Sequence, residues 1–491
     1  MAKLISADLT NNKLCILEYT TTDGQMLSFE EEAFDAKIVS HTYTVVGKII
    51  FQKPITEIKE KAFFYNNNLL SITIPDSVTS IGNSAFGACD SLQEFKGKFA
   101  SEDGRCLIID GTLNAFAPAG LTEYTIPNSV TAIGEWAFSW CESLTSVTIP
   151  DSVTEIGESA FSDCSNLTSV TIPDSVTTIE GSAFSYCNSL TSVTIPDSVT
   201  TIEGSAFSYC NSLTSVTIPD SVTTIEDSAF SYCNSLTSVT IPDSVTTIGD
   251  YAFYECSSLT SVTISDSVTT IGVEAFGSCT SLTSVTIPDS VTMIGDSAFA
   301  DCESLTSVTI PDSVTMIGDS AFFCTNLKEF KGKFAADGGR CLIIDGVLNA
   351  FALGCGATQY TIPDSVTTIG SSAFDCCTSL ISVTIGDNVT TIGYKAFACC
   401  KNLTSITIPN SVTTIGWWAF SDCPSLTSVT IGKSVSEIGE EAFKGCNINT
   451  IVCYPKIPPK IDNSFGKFEN LIVPTGCEAA YANSDWGQYL E

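Results

Sequence analysis

Histidine and arginine are nearly absent from this chain of 491 residues, which contains one histidine, His41, and two arginines, Arg105 and Arg340. No Ser or Cys nucleophile motif stands beside His41, so the sequence argues against a catalytic nucleophile–histidine pair. We expect His41 to be a surface or cap residue, and we predict that the protein has no catalytic residues and is not an enzyme.

Basic charge and long apolar runs are also scarce. Lys and Arg number 21 against 55 Asp and Glu, a formal net charge of −34, which repels nucleic acid phosphates and anionic membranes. Because no run of 18 apolar residues occurs, we expect neither a nucleic acid partner nor a membrane span. The first residues lack an apolar segment of signal-peptide length, which leaves cytoplasmic retention, another export route and a lost export segment open.

What the sequence has in abundance is a repeat of 23 residues. Fourteen segments align on the isoleucine of "VTI" and its variants, and within the runs 126–310 and 362–431 the spacing is always 23. This period lies in the range of leucine-rich repeats. The eight apolar positions of one unit are Leu190, Val193, Ile195, Val199, Ile202, Ala206, Phe207 and Cys210.

Val193 and Ile195 alternate with Ser192 and Thr194, which predicts a short strand with one buried face. Pro196 ends this strand because proline has no backbone donor. Strands that recur every 23 residues lie parallel, so the units are predicted to stack as a repeat solenoid with one continuous core.

Two segments depart from the repeat in the same way. "KGKFASEDGRCLIIDGTLNAFAPAG" and "KGKFAADGGRCLIIDGVLNAFALGCG" each contain two β-type runs around an Asp-Gly turn, which predicts hairpins projecting from the solenoid as flaps. The predicted organisation is an N-terminal cap (1–50), repeats (51–96), a hairpin (97–120), repeats (121–330), a hairpin (331–356), repeats (357–450) and a C-terminal cap (451–491).

The unit "SLTSVTIPDSVTTIGDYAFYEC" resembles the BspA-like leucine-rich repeat, in which I-P-x-x-V-x-x-I-G-x-x-A-F-x-x-C recurs. The closing "LIVPTGCEAAYANSDWGQYL" is similar to the last segment of such proteins. This resemblance implies a right-handed leucine-rich-repeat solenoid with a parallel β-sheet and short return segments. It also implies a cell-surface or secreted adhesin that binds host matrix proteins, host cells or other microbes, and it brings no catalytic residues.

An aspartate two places after the aligned isoleucine recurs in 11 of the 14 units. Stacked carboxylates about 5 Å apart would match a retaining glycosidase pair, but catalysis needs two different carboxyl environments and a ladder makes them alike. The glycine-rich nonapeptide of calcium-binding β-rolls is absent. We favour turn capping over a weak cation-binding stripe, and expect no metal and no cofactor.

Thirteen of the 22 cysteines share one repeat position and are predicted to be buried thiols, and Cys324 falls one residue short of that position. Cys376 and Cys399 each precede such a cysteine on neighbouring units, so they should point the opposite way. At a Cα spacing of about 5 Å they could form a disulfide, with two reduced thiols as the alternative. Zinc is disfavoured because C-x-x-C spacing is absent.

Three sets of residues are candidates for binding. Outward hydroxyls, including Thr194, Thr217 and Thr240, form a uniform polar face suited to many weak hydrogen bonds. A second set is a stack of aromatic residues, which is either convex-side packing or an adhesive patch. Its members are Tyr186, Tyr209 and Tyr232. Arg105 and Arg340 occupy matching places in the two hairpins and either bind a partner or pair with a neighbouring Asp or Glu.

These features predict a non-enzymatic protein that binds proteins or glycans of host or microbial surfaces, using many repeated weak sites rather than one deep pocket. A bacterial surface adhesin is the favoured interpretation. An intracellular or phage-associated scaffold for protein–protein interaction is the alternative. The oligomeric state is left open.

Overall fold

A computed structural model describes residues 15–30, 32–323 and 325–490, so Cys324 and the first 14 residues of the predicted N-terminal cap lie outside the described chain. The chain divides into two compact units, residues 1–245 and 246–491. Each unit is a parallel β-solenoid of stacked coils, as the repeat predicts. Every regular coil contributes two short strands, one to each of two parallel rows.

The first row of the unit 1–245 consists of the predicted S-V-T strands. Val193 is buried while Ser192 and Thr194 are exposed, and this strand pairs in register with the next coil, Val193 opposite Val216. A period of two thus places one apolar side chain of each strand in the core. The row contains Glu123–Thr125, Ser146–Thr148, Ser169–Thr171, Ser192–Thr194, Ser215–Thr217 and Ser238–Thr240.

A second row of strands, each of two residues, runs along the other side of the coil. In Thr201–Ile202 the isoleucine is buried, and it pairs in parallel with Ile225 of the next coil. The sequence analysis did not anticipate this row. Its members in the unit 1–245 are Glu57–Ile58, Ser80–Ile81, Ala132–Ile133, Glu155–Ile156, Thr178–Ile179, Thr201–Ile202 and Thr224–Ile225.

The unit 246–491 repeats both rows. Its first row contains Ser261–Thr263, Ser284–Thr286, Ser307–Ile310, Glu329–Gly332, Gln359–Thr361, Ser382–Thr384, Ser405–Ile408, Ser428–Ile431, Thr450–Cys453 and Asn470–Ile472. Its second row contains Thr247–Ile248, Thr270–Ile271, Met293–Ile294, Met316–Ile317, Thr368–Ile369, Thr391–Ile392, Thr414–Ile415, Glu437–Ile438 and Lys460–Ile461.

The core of each coil is filled by the phenylalanine and cysteine of the "AF" segment. Phe207 is fully buried, and its ring stacks on Phe184 and Phe230 at centroid distances of 5.4 and 5.5 Å. The Cys210 thiol, also fully buried, donates to the carbonyl oxygen of Phe184 at 3.2 Å. A buried thiol with a partner on the preceding coil confirms a structural role for the shared cysteine position.

Hydroxyl groups link the coils at the corners. Ser221 Oγ donates to the Val199 carbonyl of the preceding coil at 2.6 Å, and Thr214 Oγ1 donates to the Thr191 carbonyl at 3.1 Å. The aspartate before this serine, Asp220, is exposed. In these coils the corner contact is therefore made by serine rather than by the repeated aspartate.

The two insertions are hairpins with the predicted Asp-Gly turns. Strands Cys106–Ile109 and Thr112–Phe116 pair antiparallel, and both turn residues, Asp110 and Gly111, have positive φ (50° and 81°), as a type I′ turn requires. The second insertion has the same pair, Cys341–Ile344 with Val347–Phe351, preceded by Ala335–Ala336.

The prediction that these hairpins project as flaps is wrong. Thr112–Phe116 pairs in parallel with Ala132–Ile133 and so takes the place of a second-row strand. Its Leu113 is fully buried, and the Phe116 ring lies 4.7 Å from that of Phe138. The apolar side chains of the insertion continue the core, and this burial holds the hairpin within the coil stack.

Irregular elements close both ends. At the N-terminal side Cys15–Thr21, Ile38–Tyr43 and Gly47–Phe51 form antiparallel pairs, and Leu69–Thr73 and Glu94–Lys96 continue the sheet. At the C-terminal side a helix, Glu478–Ala482, and the 3-10 helix Asp485–Tyr489 cover the last coil, and another 3-10 turn, Leu353–Cys355, follows the second hairpin. None of the helices found in the described chain has the length and apolar character needed to cross a membrane.

Candidate binding surface

The first-row strands present a row of hydroxyl groups. Thr194, Thr217 and Thr240 are all exposed, and Thr194 lies directly opposite Thr217 in the parallel pairing. Adjacent strands are about 4.8 Å apart, so identical side chains recur along the row at that interval. The structure thus brings the three predicted threonines together as a polar surface.

The three tyrosines form a separate row, here called the tyrosine column. The Tyr209 ring stacks on Tyr186 and Tyr232 at centroid distances of 4.3 and 4.2 Å, with interplanar angles of 8° and 9°. All three residues have φ of 59°, the left-handed region, which directs each ring out of the core. Tyr186 is 40% exposed, and burial against its neighbours raises the pKa of its phenol.

The backbone explains why the column stays in register. The Tyr186 amide donates to the Ser208 carbonyl of the next coil at 2.8 Å, and the Tyr209 amide donates in the same way to Ser231 at 2.8 Å. These bonds repeat with the period of the coil. The result is a continuous aromatic strip whose ring faces are covered and whose edges meet solvent.

The two arginines have different surroundings although their sequence positions match. The Arg105 guanidinium donates to the backbone carbonyls of Ala117 and Ala119 at 3.1 and 2.9 Å. Arg340 forms the ion pair that was one of the alternatives, with Asp337 at 2.7 Å, and its guanidinium lies 5.4 Å from the Tyr360 ring. Both side chains thus have partners inside their own hairpins.

His41 packs in the N-terminal cap, as expected. Its Nε2 lies 2.6 Å from the Tyr19 hydroxyl, its ring is 5.0 Å from that of Phe29, and burial lowers its pKa. A phenol is not the nucleophile of a hydrolase triad in this arrangement. The histidine therefore contributes to cap packing.

Cys376 and Cys399 occupy, in the unit 246–491, the repeat position that the tyrosines occupy in the other unit. Both have positive φ (59° and 54°), and both are half-buried. A disulfide between them stays a prediction. The structure adds a neighbour that the sequence analysis missed: Asp375 lies with them, one potential ligand atom from each residue being within 4.8 Å of the others.

A signal for Asp375 is present in the sequence. The segment "AFDCC" has an aspartate where Ser185 and Ser208 stand in "AFSYC". The corresponding serines are buried, so an aspartate at this position places a carboxyl group inside the coil. Only a comparison of the units with one another reveals this substitution.

The two rows of short parallel strands and the stacked phenylalanine interior define a leucine-rich-repeat solenoid. The family model described as "BspA type Leucine rich repeat region (6 copies)" matches residues 13–100, 112–237, 223–335 and 348–471. The chain belongs to this family, which confirms the predicted resemblance and fold class. No curated protein matches the chain significantly.

Solved structures of bacterial proteins are similar over most of the chain. A leucine-rich repeat protein from Bacteroides ovatus is 28% identical, covers 89% of this chain and 98% of its own, and has a TM-score of 0.50. A leucine-rich cell surface protein from Faecalibacterium prausnitzii is also 28% identical, covers 80% of this chain and 98% of its own, and has a TM-score of 0.51.

Proposed function

We propose that this protein is a non-enzymatic adhesin, at the cell surface or secreted, that binds proteins or glycans of host or microbial surfaces. The observation that carries the proposal is the pair of parallel surface rows, exposed threonines and stacked tyrosines, each repeated coil after coil. The name of the similar Faecalibacterium prausnitzii protein, a cell surface protein, supports the location.

The chemistry of the rows favours an extended, repetitive partner. Hydroxyl groups such as that of Thr194 both donate and accept hydrogen bonds, and each bond in water is worth only about 1 kcal/mol. A polymer that engages many coils at once gains from the high effective concentration of the later contacts. Matrix fibres and glycan chains have this repetitive character.

The tyrosine column supplies what the threonine row lacks. Tyrosine combines a large apolar ring with a polar hydroxyl group, a combination enriched at binding sites. Because the rings of Tyr186 and Tyr209 already stack at 4.3 Å, little side-chain freedom remains to be lost when a partner binds. The column is therefore the expected anchor, with the threonines providing weaker contacts.

A binding array with two matched triple variants tests this proposal. The purified chain is applied to matrix proteins and glycans, beside Tyr186→Ala/Tyr209→Ala/Tyr232→Ala and Thr194→Val/Thr217→Val/Thr240→Val. We expect the tyrosine variant to lose at least tenfold in apparent affinity and the threonine variant to lose less. Binding that neither triple variant reduces would contradict the proposed surface.

Location and the absence of catalysis need separate measurements. Protease treatment of intact source cells should release repeat peptides, whereas complete protection would favour the intracellular scaffold. Incubation with polysaccharides should produce no new reducing ends. Turnover that is abolished by Asp197→Asn/Asp220→Asn would refute the non-enzymatic part of the proposal.

A further inference from the structure

The half-buried thiols of Cys376 and Cys399 lie on adjacent coils in the unit 246–491. The Cys376 amide donates to the Ala398 carbonyl and the Cys399 amide to the Ser421 carbonyl, both at 2.9 Å. These bonds fix the two coils in register, one thiol above the other. The next cysteines along the chain, Cys377 and Cys400, are buried in the core instead, so only the first of each pair faces outward.

Asp375 adds a carboxyl group whose environment is incomplete. The residue is 5% exposed, and its Oδ1 is buried with no hydrogen-bond partner among the described residues. Burial, followed by the nearby Cys376, raises the pKa of this carboxyl to about 7, while Lys395 acts in the opposite direction. A buried polar atom without a partner is costly, and a bound cation is one way of satisfying it.

We propose that Asp375, Cys376 and Cys399 bind one divalent cation of the zinc class through two thiolates and a carboxylate. Their ligand atoms already lie within 4.8 Å of one another. Zinc–sulfur bonds of about 2.3 Å at tetrahedral angles bring two sulfurs about 3.7 Å apart, so the thiols need to approach by about an ångström. Side-chain rotation of two half-exposed cysteines supplies that movement.

The donor set selects the kind of cation. Thiolates favour zinc and other soft or borderline metals, whereas calcium and magnesium prefer oxygen ligands. Three protein ligands leave a fourth tetrahedral position for water or for a side chain of a partner. The C-x-x-C spacing of common zinc sites is replaced here by a spacing of 23 residues, because stacking of coils brings the sulfurs together.

The surroundings suit the charge of such a site. Two thiolates and one carboxylate carry three negative charges against two on the cation, and the Lys395 ammonium group lies near enough to act on Asp375. Lys395 is itself held over the rings of Tyr394 and Trp418, at 5.3 and 5.2 Å. A groove of about 260 Å³ lined by Asp375, Tyr394 and Lys395 gives an ion its approach.

Metal binding must displace protons from these groups. Burial and the neighbouring Cys376 and Asp375 raise the pKa of the Cys399 thiol to about 11. The cation therefore has to remove thiol protons at neutral pH, and affinity should increase with pH. Oxidation of the two cysteines to a disulfide would remove the ligands, so the site belongs to the reduced protein.

Cobalt(II) titration of the reduced, metal-free, full-length chain tests the site. We expect one equivalent to bind, with the intense near-ultraviolet absorption of thiolate–cobalt coordination, and one equivalent of zinc to displace it. Cys376→Ser and Cys399→Ser should each abolish this absorption, and Asp375→Asn should weaken zinc binding about tenfold or more. The control is Cys477→Ser, since Cys477 is another half-buried cysteine, located in the C-terminal cap.

Circular dichroism of every variant establishes that the solenoid remains folded. If a serine variant fails to fold, the native protein still answers through a second measurement: zinc should protect Cys376 and Cys399, but not Cys477, from alkylation. Reduced wild-type protein that binds no cobalt, or in which zinc protects neither cysteine, would overturn the proposal. A thiolate–cobalt spectrum that survives in both Cys376→Ser and Cys399→Ser would do so as well.

Discussion

Phe207 and Tyr209 are a matched pair for measuring what holds the coils together. Each ring stacks on the rings one coil before and one coil after, at 5.4 and 5.5 Å for Phe207 and at 4.3 and 4.2 Å for Tyr209. Phe207 is fully buried, whereas Tyr209 lies at the surface and is half-buried. If burial dominates over ring stacking, Phe207→Ala must destabilise the protein several times more than Tyr209→Ala.

The expected magnitudes follow from burial. Truncation of a buried phenylalanine to alanine costs about 3–5 kcal/mol, because it removes apolar contacts and leaves a cavity. For Tyr209 the loss consists mainly of two aromatic pairs, about 1–2 kcal/mol together at a surface still reached by water. Backbone strain does not separate the two variants, since Ala88 adopts φ of 52° at the repeat position of Tyr209.

Urea denaturation followed by far-ultraviolet circular dichroism compares the two variants on the full chain. Hydrogen exchange then locates the effect, which should be greatest in the coils beside Phe207 because each coil contacts only its neighbours. Equal shifts of the two denaturation midpoints, or a larger shift for Tyr209→Ala, would show that ring stacking and not burial stabilises the stack.

Three further outcomes are expected from the described contacts. In metal-free protein, the raised pKa of Asp375, about 7, means that the folded state holds more protons than the unfolded state between about pH 4 and 7. Its unfolding free energy should therefore fall as the pH rises through that window, and thermal melts at pH 5 and 8 should show a smaller difference for Asp375→Asn. Arg105→Ala should cost about 1–3 kcal/mol by leaving two carbonyls without their donor, whereas Arg340→Ala, which removes a partly exposed ion pair, should cost about 1 kcal/mol or less; denaturation midpoints decide between them. Iodoacetamide should modify only half-buried cysteines among those of the described chain, as peptide mass spectrometry can check, and labelling of Cys210 in the folded protein would contradict its burial. The expected sites are Cys355, Cys376, Cys399 and Cys477.

Much of the fold could be predicted from the repeat because every coil solves the same packing problem. The period of 23 residues and the alternation around Val193 identify the first-row strand, and an inward phenylalanine such as Phe207 identifies the interior. The second row escaped prediction because a strand of two residues, such as Thr201–Ile202, is too short to show an alternating pattern. Its geometry comes from stacking on the next coil, and local sequence carries little of that information.

The hairpins and the cysteine pair show where local interpretation of the sequence fails. The Asp-Gly turns predicted antiparallel strands correctly, but only the packing of Leu113 and Phe116 in the core shows that the hairpin belongs to the coil stack. Likewise, the sequence placed Cys376 beside Cys399, yet Asp375 became visible only when the third dimension brought a buried carboxyl to them.

The residue before the core cysteine gives the solenoid a place where chemistry can change without loss of the fold. Tyr209 and Cys399 share this position, the left-handed backbone and the amide bond to the next coil. Because the side chain leaves the core there, its identity has little effect on packing, whereas Phe207 two residues earlier admits little variation. Stacking then multiplies whatever the position carries, producing an aromatic strip where neighbouring coils have tyrosine and a pair of thiols where they have cysteine. Differences in binding between regions of such a protein should therefore follow the composition of this one column more closely than that of the uniform Ser/Thr strands.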